Sequence, residues 1–584
     1  WGEWILPSPV DSVFKKHFHN WCKALIKDVL KKHIYPKGKI IGFQTGNEGI
    51  YSDSWGAINR ADYSPSGLSL YQKFLKTRYE SIKVLNTAYA TQYKSFSEID
   101  APRSIDKISS SAVLAQLQDW GEYQAFYFKS VMFDFAQDFQ CFGLPILNNL
   151  NPPWEDKNVY WDSWISRIVP HSWEGKIHYG TTNWIGTVPG KLSSRQRYDL
   201  LIKRHPGPNL EENWGFGLLY DKDYVSAVVP FSQSLYALAL GATGYNIYTG
   251  ANTSGWDVHI DSKHQAPYPD SAPINAQGEL TEKARVAALL NEFLSFQGKS
   301  LLQSNPVVSI GYLMYRSYAH ISAWDNNRKS FWNLENFDKP ISQGVTLRSF
   351  SDLCRKWATD YKIVELDHFE DYSSQDIPEV LYLSSCNWMK KKDYQNLVKY
   401  LKKGGIILLE GSFPTKDISG EPLPAFGIVE QDGFFQCEKG WIIPVSHTEV
   451  EEWVEKLSRT KRVERQKNTT LVVQRYNPKT SDRYFFIFNT AKNSVKETIQ
   501  SGNISFTLKM GPGCSGIIHY NEDNFRGLLL KNLNDLVKKG TNVFFETQAG
   551  FKINSPAPID LLIMWDTKEK NFLIRGNPDI FLKE

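Results

Sequence analysis

Cysteine is scarce in this chain of 584 residues, and its distribution excludes one kind of site. The six cysteines are widely separated, with no CxxC spacing and no cluster with histidine. We therefore expect no structural zinc, no other bound metal and no cofactor. Sparse cysteine favours a reducing, cytoplasmic compartment without excluding a secreted or periplasmic one.

Long apolar runs and a strong net charge are also missing. No run of about 18 apolar residues could cross a bilayer, so we expect no membrane span. The net charge of +4 is small for this length and does not nominate nucleic acid as a partner. The chain begins at Trp1 without an initiator methionine or a signal peptide, so its localisation cannot be read from this end.

Aromatic residues are abundant instead. Phe, Trp and Tyr make up 14% of the chain, with 19 tryptophans. Sugar rings present an apolar C–H face and a rim of hydroxyls, which suits rings that combine an apolar body with a polar tip. The composition is compatible with a carbohydrate cleft, although most of these rings are expected to fill a large core.

The length requires more than one core, and the pattern of the chain divides it into three predicted domains. Residues 1–304 alternate helical patterns with short strand-like runs, which indicates a parallel sheet. Residues 305–432 form a second, three-layer α/β pattern. Residues 433–584 contain short alternating strands that are typical of a β-sandwich.

The strand-like runs of the first domain end in polar and aromatic residues. These strand ends contain Asn148, Asn149 and Asn151; His178, Tyr179 and Asn183; Glu211 and Glu212; and Tyr245, Asn246 and Tyr248. A parallel α/β barrel with its active site at the carboxyl ends of the strands produces this pattern. Tyr179 is therefore a candidate substrate-binding residue.

Asn47 and Glu48 follow an apolar, strand-like run and precede a polar loop. This is where a barrel presents a catalytic acid, and the expected partner is Glu211 or Glu212 from a later strand. Two carboxylates can cleave a glycosidic bond, since one donates a proton while the other attacks or activates water. Successive strand side chains alternate between faces, so only one of the two later acids points inward, and we favour Glu211.

The first 300 positions resemble the β-galactosidases of glycoside hydrolase families 35 and 42, in the barrel clan whose acid/base follows an asparagine on the fourth strand. The stretches similar to these enzymes begin with Trp1-Gly-Glu3-Trp4, Ile40 to Gly49 and Pro208 to Gly217, and continue with Asn246 to Gly255 and Tyr268 to Gly278. The resemblance implies an acid/base at Glu48 and a ligand of the 2-hydroxyl at Asn47. It implies a nucleophile at Glu211 or Glu212, and Glu3, Tyr245 and Trp256 as further groups that hold the terminal sugar.

The resemblance also implies the fold and the reaction. It implies a (β/α)8 TIM-type barrel whose first strands are missing from this chain, a flavodoxin-like α/β domain and homo-oligomeric assembly as a trimer or dimer. We expect a retaining glycoside hydrolase that removes terminal β-galactose-type residues from an oligosaccharide or glycan. Two alternatives remain, namely the same barrel acting on another β-linked sugar and a non-catalytic carbohydrate-binding or assembly protein.

Overall fold

The computed structural model describes most of the chain. The described residues are 7–49, 56–60, 62–105, 107–153, 157–173, 175–183, 190–216, 221–253, 271–324, 331–372, 376–461, 463–466, 470–534, 539–556 and 558–576. They divide into two compact units. The first unit comprises residues 1–180, 311–350 and 363–450, and the second comprises residues 181–310, 351–362 and 451–584.

The helices of the described residues lie mainly in the first three quarters of the chain. They are α1 (Ser12–Asp28), α2 (Pro65–Tyr79), α3 (Ile82–Tyr89), α4 (Ser111–Ala136), α5 (Asn158–Arg167), α6 (Leu192–Arg204), α7 (Val228–Leu240), α8 (Glu282–Leu302), α9 (Arg316–Ser322), α10 (Gln343–Lys356), α11 (Lys391–Lys402) and α12 (His447–Lys461). Short 3-10 helices span Leu30–Lys32, Phe96–Glu98, Gln137–Phe142, Pro170–Trp173, Lys222–Val225 and Leu366–Asp371.

The strands become dense towards the C-terminus. The first thirteen are β1 (Phe43–Gly46), β2 (Ile146–Leu150), β3 (His178–Asn183), β4 (Asn209–Asn213), β5 (Tyr245–Tyr248), β6 (Asn305–Pro306), β7 (Val308–Met314), β8 (Asp360–Glu365), β9 (Val380–Ser385), β10 (Ile406–Gly411), β11 (Ile428–Gln431), β12 (Phe434–Cys437) and β13 (Gly440–Val445). The others are β14 (Glu464–Arg465), β15 (Leu471–Asn477), β16 (Asp482–Phe488), β17 (Val495–Ser501), β18 (Ile504–Met510), β19 (Ser515–Asn521), β20 (Asn524–Lys531), β21 (Leu533–Asn534), β22 (Lys539–Gly540), β23 (Val543–Thr547), β24 (Lys552–Ser555), β25 (Leu561–Asp566) and β26 (Asn571–Arg575).

Local sequence explains where several helices begin. At α2 the hydroxyl of Ser64 accepts a hydrogen bond from the backbone N–H of Gly67, and Pro65 occupies the first turn. At α1 the carboxylate of Asp11 accepts from the backbone N–H groups of Val13 and Phe14. These caps satisfy backbone donors that have no partner inside the helix.

In the first unit, β1 and β2 pair in parallel, and the long helix α4 contacts β1. A seven-stranded sheet follows in the order β11, β12, β13, β10, β9, β7, β8. Its pairs β7–β9, β9–β10 and β10–β13 are parallel, whereas β11 to β13 form an antiparallel edge. This α/β sheet continues to Val445.

In the second unit, residues 181–183 of β3 pair in parallel with β4, and β4 pairs in parallel with β5. Two antiparallel sheets follow, of five and seven strands. Both sheets contribute side chains to one core cluster that includes Phe485, Ile518, Phe506 and Phe545. The other face of the seven-stranded sheet shares a second cluster with α7 and α8, which places a helical layer between that sheet and β4 and β5.

The alternation of strands and helices predicted from the sequence is confirmed. Among the described residues, the first unit contains the parallel strands β1 and β2, and the second contains the parallel strands β4 and β5 and a β-rich C-terminal region. The three-domain division at residues 304 and 432 stays a prediction. Among the described residues, no helix combines the length and apolar character needed to cross a bilayer.

Candidate active site

Glu48 follows β1 in a conformation that side chains rarely adopt. Its φ is 54°, in the left-handed region, which costs roughly 1–2 kcal/mol for a residue with a Cβ. Its backbone N–H donates to Oδ1 of Asn149, on β2, at 2.7 Å. A non-glycine residue held in this region by its surroundings is a feature of functional sites.

The turn that carries Glu48 is braced by amides. Nε2 of Gln44 donates to Oδ1 of Asn149 and to Oδ1 of Asn47, both at 3.0 Å. At Gly46 a Cβ atom would lie 2.5 Å from Nδ2 of Asn148, so a larger residue at position 46 would displace this amide. Asn47 is exposed and Glu48 is half-buried, so both side chains remain accessible to a ligand.

Glu212 and Glu211 lie on β4 in different surroundings. Glu212 has no exposed surface, whereas Glu211 is half-buried. Nδ2 of Asn183 donates to Oε1 of Glu212 at 2.9 Å, and Nδ2 of Asn209 donates to Oε2. The two adjacent carboxyl groups therefore have different access to a substrate.

The register of the sheet identifies the face that each acid occupies. Glu212 lies beside Asn183 on β3 and beside Ile247 on β5, and Ile247 packs against the core cluster of α7 and α8. Glu211 lies beside Thr182 instead. Since neighbours across a sheet share a face and successive residues alternate, Glu212 faces the helices and Glu211 faces the opposite side.

Burial raises the pKa of Glu212 well above its usual range. Hydrogen bonds from Gln233, Asn183 and Ser234 oppose this effect and do not overcome it. A carboxyl group without a cation beside it avoids the cost of a buried charge by keeping its proton. The raised pKa favours the protonated form of Glu212, whereas a nucleophile must be ionised and must reach the substrate.

Two predicted substrate-binding tyrosines face the helical layers. Tyr245 packs against the cluster of α7 and α8, and its hydroxyl donates to Oδ1 of Asn291 on α8 at 2.8 Å. Tyr179 is 3% exposed, with its ring centroid 5.9 Å from that of Trp173. These placements favour packing roles. On β5, Tyr248 lies on the face opposite Tyr245 and is 39% exposed, so it is the better candidate for contact with a sugar.

Glu3 and Trp256 lie outside the described residues, so their predicted roles stay predictions. The predicted site residues do not include the amides and the hydroxyl around Glu212, namely Asn209, Gln233 and Ser234. Asn209 could have been proposed from the sequence, because it lies at the start of the strand that contains Glu212. Gln233 and Ser234 lie on α7, where sequence spacing does not indicate which strand they contact.

One group of the described residues has the composition of a metal site. Glu365, Asp367 and His368 have candidate ligand atoms within 4.8 Å of one another. However, Nη1 of Arg316 lies 2.5 Å from Oδ2 of Asp367, and Glu365 also interacts with this guanidinium. The arginine supplies the positive charge that the carboxylates need, so the group is explained as an ion pair. The absence of a metal stays a prediction.

A cavity of about 810 Å3 lies elsewhere in the first unit, lined by residues from the start of α5, the end of α9 and the segment before α10. Neither Asn47 nor Glu48 lines it. The size of this cavity alone therefore does not identify it as the site of glycoside hydrolysis.

Two family models match parts of the chain. Residues 7–172 match the family model of glycoside hydrolase family 42, described as beta-galactosidase, and the match contains β1, β2, Asn47 and Glu48. Residues 335–427 match a second model, described as the second domain of GLMA-like proteins. Of the two families in the resemblance, family 42 is thus the one that a model matches.

Curated relatives of this chain carry different names. A beta-1,2-glucosyltransferase of Ignavibacterium album is 23% identical over 70% of this chain and 58% of its own length. An exo-beta-D-glucosaminidase of Thermococcus kodakarensis is 22% identical over 69% of this chain and 50% of its own length. The chain therefore spans between half and three fifths of these relatives.

Solved structures share the fold at low identity. A beta-galactosidase from Rahnella sp. R3 superposes with a TM-score of 0.62 and 11% identity, over 88% of this chain and 82% of that chain. A beta-galactosidase from Bacillus circulans sp. alkalophilus gives a TM-score of 0.60 and 11% identity, over 88% and 83%. This chain thus shares the fold of these enzymes.

Proposed function

We propose that this protein is a retaining glycoside hydrolase that removes terminal β-galactose-type residues from oligosaccharides or glycans. The observation that carries the proposal is the family-42 match over Asn47 and Glu48, which follow a parallel strand in a turn held by Asn149. A carboxylic acid at the carboxyl end of a parallel strand is where barrel enzymes carry their catalytic groups.

Glu48 is the proposed acid/base and Glu211 the proposed nucleophile. Glu211 is supported by its half-buried position, on the face opposite that of Glu212, at the carboxyl end of β4. Glu212 has no exposed surface and its raised pKa favours the protonated form, so it fits neither an attacking group nor a sugar contact. This division of roles extends the alternation argument made from the sequence.

The proposed reaction has two displacement steps. In the first, a carboxylate oxygen of Glu211 bonds to the anomeric carbon while Glu48 gives its proton to the glycosidic oxygen, and the alcohol leaves. In the second, water bonds to the anomeric carbon, Glu48 takes a proton from that water, and Glu211 leaves as carboxylate. Two inversions restore the β configuration, so the product sugar is initially the β anomer.

Glu212 is the proposed positioning residue of this site. It accepts a hydrogen bond from Asn183, which ties β4 to β3 immediately beside Glu211, and a second from Asn209 within β4. An uncharged Glu212 holds the strand without placing a second negative charge next to the nucleophile, which must be ionised to attack the sugar.

Asn47 and Tyr248 are the proposed sugar contacts among the described residues. The exposed amide of Asn47 can donate to and accept from a hydroxyl group beside the acid/base. The ring of Tyr248 offers an apolar face to the C–H face of a sugar.

A panel of aryl β-glycosides tests the proposal. The protein is assayed with galactoside, glucoside and glucosaminide of one leaving group, and we expect the highest kcat/KM with the galactoside. Turnover of no glycoside by a protein that binds galactose would instead favour the non-catalytic carbohydrate-binding alternative. If the protein neither cleaves a glycoside nor binds galactose, the hydrolase proposal and the carbohydrate-binding alternative are both excluded.

A second candidate concerns the sugar and the acceptor. The names of the two curated relatives, a glucosyltransferase and a glucosaminidase, favour glucose or glucosamine as the sugar that is removed. The same two carboxyl groups would serve either sugar. A galactoside rate below that of the glucoside or glucosaminide would select this candidate, and a disaccharide formed in place of free sugar would select transfer.

A further inference from the structure

A second cavity lies within the second unit, away from the acids of β4. It has a volume of about 480 Å3 and lies beside α6, the last turn of α10 and the start of β15. Cavities of this size hold small organic ligands. None of the proposed catalytic residues lines it.

The walls of this cavity are predominantly cationic. Arg195, Arg355, Lys356 and Arg465 line it, against the single carboxylate of Asp352. Arg195 pairs with Asp352 at 3.1 Å, and Lys356 pairs with Glu451, which lies outside the lining. The described residues of the lining still carry more positive than negative charge, which favours an anionic ligand.

Several donors of these walls have no acceptor among the described residues. The hydroxyl of Thr470, a residue 2% exposed, has none, and neither does Nε of Arg355, which is 5% exposed. Nε1 of Trp357 and Nε of Arg195 are also buried without an acceptor. Buried donors are nearly always satisfied, so four around one cavity indicate a ligand rich in acceptor oxygens.

The arginine at the centre of this set is held in place before any ligand arrives. Nη2 of Arg355 lies 3.0 Å from Oδ1 of Asp199, and Nη1 lies 3.0 Å from Oδ1 of Asp360. With both ends of the guanidinium fixed, Nε is the donor that remains for the cavity. A fixed donor binds an anion with little loss of side-chain freedom.

We propose that this cavity binds a small tetrahedral oxyanion, a phosphate or sulfate group that is free or esterified to one sugar. Such a group offers several acceptor oxygens to donors arriving from different directions. The cavity exceeds the volume of a free phosphate ion, which leaves room for a sugar ring beside Trp357. This site does not depend on the proposed glycosidase activity.

Isothermal titration calorimetry of the whole protein tests the site with inorganic phosphate, sulfate, glucose 6-phosphate and glucose. We expect a Kd of about 1 mM or tighter for at least one oxyanion and none for glucose. Binding of the free ions would identify a free oxyanion as the ligand. Binding confined to glucose 6-phosphate would identify a sugar monoester.

Two substitutions test whether the oxyanion binds in this cavity. Thr470→Val removes one orphan donor at constant shape, and Lys356→Gln removes the charge of an exposed lysine that pairs with Glu451. Each should weaken oxyanion binding about tenfold, because each removes one polar or charged contact. Lys402→Gln, an exposed lysine outside the cavity, is the control and should leave the Kd unchanged.

Three results would overturn the proposal. They are no heat with any oxyanion, equal binding of glucose, and an oxyanion Kd that neither variant at this cavity changes. If Thr470→Val does not fold, the Lys356→Gln comparison decides alone. Aryl glycoside hydrolysis is measured in parallel, and its absence would bear on the proposed function only.

Discussion

Replacing Glu211 and Glu212 separately by glutamine should give opposite results, although the two residues are adjacent. Glu211→Gln removes the proposed nucleophile, and we expect kcat to fall by about 10^4-fold or more. Glu212→Gln exchanges a buried, uncharged acid for an uncharged amide of the same shape. The amide can still donate and accept within the group formed by Asn183, Asn209, Gln233 and Ser234, so kcat should stay within about tenfold.

Glu212→Gln, the variant expected to keep its activity, should also change the pH dependence of stability. Because burial raises the pKa of Glu212, the folded protein binds a proton that the unfolded chain releases above its ordinary pKa. Wild-type stability is therefore lost as the pH rises through this window, by at most about 1.4 kcal/mol per pH unit for one proton. Glu212→Gln removes this loss and should unfold at a higher temperature than the wild type at pH 8, with a smaller difference near pH 5.

The assay combines aryl glycoside kinetics with thermal unfolding at pH 5 and pH 8. Glu546→Gln, a surface glutamate of β23, is the matched control and should change neither quantity. Full activity in Glu211→Gln together with loss of activity in Glu212→Gln would refute the assignment. An unfolding temperature of Glu212→Gln that falls at pH 8 would refute the uncharged state of Glu212.

Three further outcomes follow from the site and the core. Asn149→Ala removes the acceptor of the Glu48 backbone N–H. In steady-state kinetics kcat should fall about ten- to hundredfold, and in urea unfolding the free energy of unfolding should fall by about 1–3 kcal/mol. Tyr248→Ala should raise KM with little change in unfolding temperature, whereas Tyr245→Ala should lower the unfolding temperature, because only Tyr245 packs in a core cluster. Burial raises the pKa of Asp162 to about 7, so the wild type loses stability as the pH rises from about 4 to about 7. At pH 8, Asp162→Asn should therefore be more stable than the wild type by about 2–4 kcal/mol in urea unfolding. An unchanged pH dependence in that variant would contradict the assignment to Asp162.

The strands that carry the candidate site could be predicted because each is short, apolar and followed by polar residues. The runs ending near Glu48, Asn149, Asn183, Glu212 and Tyr248 all form strands, within a few residues of the expected bounds. A buried parallel strand has little freedom in where it ends, since its apolar residues must stay beneath helices.

The orientation of side chains on those strands was harder to predict. β4 has an irregular register beside both neighbours, between Asn209 and Glu212, so counting by twos along the sequence does not by itself fix which acid faces the helices. On β5 a signal was present, because Ile247 is apolar and shares its face with Tyr245. That alternation indicates the helical side for Tyr245 and the other side for Tyr248.

The residues that set the protonation state of Glu212 could not be predicted from their spacing in the sequence. Gln233 and Ser234 reach Glu212 from α7, more than 20 positions along the chain. The cavity lined by Arg195, Lys356 and Thr470 likewise joins segments that are distant in sequence. Such contacts depend on how helices pack on sheets, and periodicity carries no information about them.

The central claim is that Glu211 forms a bond with the anomeric carbon during turnover, and trapping that bond tests it most directly. A 2-deoxy-2-fluoro-β-galactoside with a good leaving group slows the second step more than the first, so the sugar accumulates on the nucleophile. Peptide mass mapping should find the fluorosugar on Glu211, in a stoichiometry that matches the loss of activity. A label on Glu212, or turnover of the reagent with inversion and no label, would contradict the account.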